Sequence, residues 1–109
     1  MNPLLKRAQE LLDLGIKAEN RGLYTFASIR YVQVWESLVS LVVLRDNKII
    51  ILSHREETVL FNIFHIIKTR LRDVTSKITN GSPSMSGRKS RDSAREAFEA
   101  LLREMEEFM

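Results

Sequence analysis

Residues 22–44 read GLYTFASIRYVQVWESLVSLVVL, and this stretch decides the fold. Tyr24, Ala27, Tyr31, Val34, Leu38 and Val42 recur every three or four positions, the period of one face of an α-helix. Phe26, Val32, Trp35, Val39 and Val43 widen that stripe. From Leu38 to Leu44 the helix is apolar nearly all round. Such a segment is either central in a bundle or part of a subunit contact. Asn20-Arg21-Gly22 precedes it as a stop signal, because glycine readily takes the left-handed conformation that ends a helix. The spacing predicts a helix over Leu23–Leu44.

Working outward, Asn2 and Pro3 open a first helix over Pro3–Asn20. Asparagine caps well, and proline costs nothing at a position whose N–H has no partner. Leu4, Leu5, Ala8, Leu11, Leu12 and Ile16 form its stripe. The short turn that follows makes the first two helices an antiparallel pair. Arg45-Asp46-Asn47-Lys48 breaks the second helix. Ile49-Ile50-Ile51-Leu52 then lacks helical period and reads as an extended piece over the core, or as an apolar patch covered by a partner. Ser53-x-x-Glu56 is a capping box that starts a third helix. Leu60, Phe64, Ile67, Leu71, Val74 and Ile78 carry its stripe. Residues 79–91, centred on NGSPSMSGRKS, read as a flexible loop. Ser93-x-x-Glu96 is a second capping box. Ala94, Ala97, Phe98, Leu101, Leu102, Met105 and Phe108 give a last stripe. The expected fold is all-α, an antiparallel four-helix bundle forming one domain over residues 1–109.

Composition agrees. A chain of 109 residues holds one small core, and four glycines with two prolines supply too little turn chemistry for a many-stranded β fold. With no cysteine, disulfides, thiolate metal sites and cysteine nucleophiles are excluded together. No secretory signal pattern is legible, and Tyr31–Leu44 reads as too short and too polar to span a bilayer. A cytoplasmic protein without a transmembrane segment is the expectation.

The net charge of +3 is unevenly placed. Residues 68–91 carry Lys68, Arg70, Arg72, Lys77, Arg88, Lys89 and Arg91 against Asp73 alone, a sum of +6. Residues 92–109 carry two basic and six acidic side chains, a sum of −4. The seven basic residues are the candidate anion or nucleic-acid site. The acidic last helix, of this chain or of a second copy, is an equal claimant for them.

Catalytic and cofactor motifs are missing. There is no GxxxxGK[ST], GxGxxG or HExxH. His54 and His65 lie 11 residues apart, about 16 Å along a helix, too far to share a metal. His54 reads as solvent-facing and His65 as a core-edge residue. Glu56 is accounted for by its cap. No cofactor, metal site or catalytic residue is expected.

Gly22-Leu23-Tyr24-x-x-Ala27 followed by Gln33-x-x-Glu36-x-Leu38 resembles the HEPN family (higher eukaryotes and prokaryotes nucleotide-binding domain). Ser53-His54 before VLFNIFHII and the acidic last helix also fit that pattern. The resemblance implies a helical bundle, dimerisation, and association with a nucleotidyltransferase-type protein or nucleic acid. The family's RNase members carry an Arg and a His a turn or two apart near the last helix. Here Arg45 precedes His54 by nine and Arg55 precedes His65 by ten, so RNase activity is not implied. Tyr24-x-x-Ala27-x-x-x-Tyr31 is also similar to MIT domains (microtubule interacting and trafficking). That likeness implies a three-helix hairpin binding short amphipathic helices of membrane-remodelling proteins. The expected function is a non-catalytic, dimerising binding module. The MIT-like adaptor and a purely structural homodimer are the alternatives. Trp35, Leu38, Val39, Val42, Val43, Ile49 and Ile51 are the candidate interface.

Overall fold

The computed structural model describes residues 1–80 and, beyond them, Glu96, Glu99, Ala100, Arg103, Glu104 and Glu107. Among the described residues three helices are delimited and no strand occurs: α1 (Pro3–Asn20), α2 (Tyr24–Asp46) and α3 (His54–Asn80). The all-α class holds. Three of the four expected helices are delimited; most of the fourth, and residues 81–91 of the expected loop, lie outside the described residues. Thr79 and Asn80, expected in that loop, instead continue α3.

Local chemistry sets the helix ends. Asn2 Oδ1 accepts the Leu4 N–H at 2.8 Å, with Pro3 in the first helical position. Gly22 takes φ +76°, which lets the Gly22 and Leu23 N–H groups reach back to the Glu19 and Ala18 carbonyls. At α3 the Ser53 hydroxyl accepts the Glu56 N–H, and the Glu56 carboxylate accepts the Ser53 N–H, each at 3.1 Å.

The helices run up, down, up. Asn2, before α1, donates its N–H to Glu56 Oε2 at 2.7 Å, so α1 and α3 start side by side. Arg45, at the end of α2, pairs with Glu57 in the first turn of α3. Each charge there also opposes the partial charge of its own helix end. Lys77, near the end of α3, sits 4.9 Å above the Tyr24 ring at the start of α2. Helix α2 is the central element, packed on both neighbours, while α1 and α3 touch each other least.

The core draws Leu5, Ala8, Leu11 and Leu12 from α1, Tyr31, Val34, Leu38 and Leu41 from α2, and Leu60, Phe64, Ile67, Leu71 and Val74 from α3. Trp35 meets Phe64 edge-on, ring centres 5.3 Å apart. The buried Ser28 and Thr75 hydroxyls donate to carbonyls of their own helices at 2.6 Å. Leu4, expected in the stripe, is 36% exposed. Residues 49–52 are non-helical and alternate: Ile50 and Leu52 pack on the core, while Ile49 and Ile51 stand out of it. By length and composition alone α2, longer than Tyr31–Leu44, could cross a bilayer, as could a core helix of this length. Much of its apolar surface is spent on the core, with 44% of its most apolar window buried.

Candidate functional site

One polar cluster ties all three helices together. The Tyr31 ring is fully buried, and its hydroxyl donates to Glu19 Oε1 at 2.7 Å. Arg70 of α3 approaches the same carboxylate oxygen at 3.6 Å. Burial first, then the Glu19 carboxylate, push the Tyr31 pKa well above its ordinary value. The ring can enter because residue 15 is glycine. A Cβ there would stand 2.5 Å from Tyr31 Cε1 and 2.8 Å from Cδ1. The cluster joins three helices through one carboxylate, and its geometry is that of a clamp. Sequence reasoning missed Gly15 and Glu19. An unforced glycine inside a helical stripe is the signal that points to such a close approach.

The basic residues of α3 do not form one patch. Arg70 faces Glu19 of α1, and Lys77 covers Tyr24. Lys68 and Arg72, one helical turn apart, lie on the other flank of α3, and each is engaged in an interaction of its own. Arg88, Lys89 and Arg91 lie outside the described residues.

The expected interface residues separate by depth. Trp35 and Leu38 are in the core, 4% and 0% exposed, so their area is not on offer to a partner. Val39 and Val42 are half-buried against that core. Val43, Ile49 and Ile51 are exposed, by 48%, 68% and 93%. Sequence reasoning placed Phe26 in the core stripe and did not place Ile29; each is about half exposed. Phe26, Ile29, Gln33, Glu36, Ser40 and Val43 follow one another at alternating steps of three and four residues. That is the seam spacing of a helix pair, here on the face of α2 turned away from the core. Arg30 lies 4.8 Å above the Phe26 ring and donates from Nη1 to Gln33 Oε1 at 2.9 Å. Its Nε is buried without a partner among the described residues.

A second apolar surface is the groove between α1 and α3. Leu12, Ile16, Val59, Ile63 and Ile66 line it with Gln9, Asp13 and Asn62, enclosing about 360 Å³. Both histidines are exposed, which corrects the core-edge reading of His65. Among the described residues no three His, Asp or Glu side chains gather as metal ligands would. Compared with known protein families, with curated proteins and with solved structures, the chain matches none.

Proposed function

We propose that this chain is a non-catalytic helical binding module of the HEPN-like type. It works as a homodimer joined through the outer face of α2, its bundle completed by residues 93–108 as a fourth helix. The observation that carries this is the seam on α2. Phe26, Ile29 and Val43 stand half exposed at helix-pairing intervals, and Gln33, Glu36 and Ser40 occupy the middle. An antiparallel, two-fold arrangement sets Phe26 and Ile29 of one copy near Val43 of the other. Ile49 and Ile51 extend the apolar surface at one end. Phe26, Ile29 and Val43 are each already half buried, so covering the rest is worth roughly half of the 1.5–3 kcal/mol of a full burial, about 1 kcal/mol each, summed over both copies of a symmetric contact.

Light scattering across a dilution series tests the reading. The expected result is a dimer that Ile29→Asp converts to a folded monomer. A wild-type monomer at every concentration refutes it. A nucleotidyltransferase-type protein is favoured over nucleic acid as the further partner. The basic side chains of α3 are split between two flanks and give a phosphate backbone no continuous stripe.

The groove between α1 and α3 favours a second reading, the MIT-like adaptor. Ile16, Val59 and Ile66 are its accessible apolar side chains, over a floor of buried Leu12 and Ile63, and suit the apolar face of a short helix. Titration of the labelled protein with amphipathic helical peptides should move the resonances of Ile16, Val59 and Ile66. No movement with any peptide refutes it.

A further inference from the structure

Helices α2 and α3 pack together, and helical spacing puts a second set of side chains on the flank of that contact away from Arg70. Val32 and Val39 of α2 are half-buried, Phe61 of α3 is 49% exposed, and Lys68 and Arg72 follow on α3. We propose that what covers this flank is the chain's own C-terminal segment, residues 93–108. It lies antiparallel to α3 with its apolar face on Val32, Val39 and Phe61 and its acidic flank on Lys68 and Arg72.

Chain length permits this and sets the direction. Helix α3 ends at Asn80, so about twelve residues are left before Ser93, ample to reverse the chain at that end. The segment then returns along α3 towards residue 61. Side-chain placement agrees. Glu96, Glu99, Ala100, Arg103, Glu104 and Glu107 are helical and all exposed, and their spacing puts them on one side of a helix. By the same spacing the sequence assigns Ala97, Phe98, Leu101, Leu102, Met105 and Phe108 to the opposite side. Charge then selects the flank. The groove between α1 and α3 has Asp13 in its wall, paired with Lys17 at 3.0 Å, and Asp73 on the same side of α3, so it presents carboxylates to a segment of charge −3. The flank of α3 beside α2 presents Lys68 and Arg72 instead. Glu99 is itself engaged in an interaction despite its exposure. So placed, the tail neutralises the paired cations of α3, and this face is not an anion-binding surface in the resting chain.

The proposal rests on the fourth-helix reading above, and the full-length, cysteine-free chain separates the two. Cysteine pairs are introduced and oxidised: Val32→Cys or Phe61→Cys, each with Leu101→Cys or Met105→Cys. At least one pair is expected to close within a single chain, while Ile66→Cys, in the other groove, closes with neither. Closure through Ile66→Cys overturns the choice of flank but keeps the fourth helix. Disulfides only between chains, or none at all, overturn both. Lys68→Glu with Arg72→Glu should abolish the diagnostic disulfide, and Glu99→Lys should restore part of it. Unchanged closure in the doubly reversed variant refutes the charge selection. Unmodified protein gives an independent readout: contacts between the Phe61 ring and the Leu101 or Met105 methyls are expected by NMR, and their absence refutes the packing.

Discussion

Replacing Gly15 by alanine should destabilise this protein, against the usual behaviour of a helix interior. On propensity alone the substitution gains about 0.8–1 kcal/mol. Here the new methyl stands 2.5 Å from Tyr31 Cε1, far inside contact distance. The ring is fully buried and its hydroxyl is fixed on Glu19, beside Arg70. Two responses are open. If the ring shifts, the hydrogen bond to a charged acceptor is lost, at about 1.5–3 kcal/mol. If α1 moves instead, the interface is overpacked, at about 1–3 kcal/mol. Less the propensity gain, the net loss is about 0.5–2 kcal/mol if the ring shifts and up to about 2 kcal/mol if α1 moves. Urea unfolding measures it, as a lower midpoint with an unchanged slope. Each kcal/mol lost should lower the melting temperature by about 4–8 °C. A double-mutant cycle isolates the cause. In a Tyr31→Leu background the clash is gone, so Gly15→Ala should become neutral or stabilising. Stabilisation by Gly15→Ala in the wild-type chain, or the same effect in both backgrounds, would refute the reasoning.

Alkaline unfolding provides a further test of Tyr31. Its folded pKa lies above the ordinary tyrosine value of 10.0, so the unfolded chain loses its proton first. Stability should be complete below about pH 10 and decline above it, less so in Tyr31→Phe, as followed by helical circular dichroism. Glu56 gives the acid counterpart. Its carboxylate accepts the Ser53 and Asn2 N–H groups, which holds its pKa below the ordinary 4.5. Its contribution is present above that value and lost as pH falls through the lower folded pKa, so Glu56→Gln should flatten the acid limb of a stability–pH profile. Ser53→Ala removes the α3 cap and should cost about 1 kcal/mol in urea unfolding. Arg45→Ala removes the partly exposed pair with Glu57 and should cost no more than about 1 kcal/mol, shrinking at high salt.

The helix count through residue 80, the caps and the chain reversal at Gly22 were legible in the sequence, because each depends on neighbours a turn or less apart. Asn2, Ser53, Glu56 and Gly22 do in the structure what their spacing predicts. The candidate surfaces were less legible. An apolar run such as Leu38–Leu44 has apolar side chains nearly all round, and periodicity cannot say which side a neighbour will cover. Leu38 and Leu41 went to the core and Val43 to the outside only once α1 and α3 took their places. Phe26 shows the same ambiguity, read as core and found half exposed.

The basic block shows the boundary most clearly. Sequence alone established that Lys68, Arg70, Arg72 and Lys77 share a helix and that an acidic segment follows. Their azimuths on α3, and the positions of Glu19 and Tyr24 on other helices, divided them. Arg70 and Lys77 serve contacts between helices, and Lys68 and Arg72 are left together on the opposite flank. Glu19 meets Tyr31 across 12 residues of chain, and Glu56 meets Asn2 across 54. Local periodicity carries no information about such pairs, because the distance that matters is between packed helices and not along the chain.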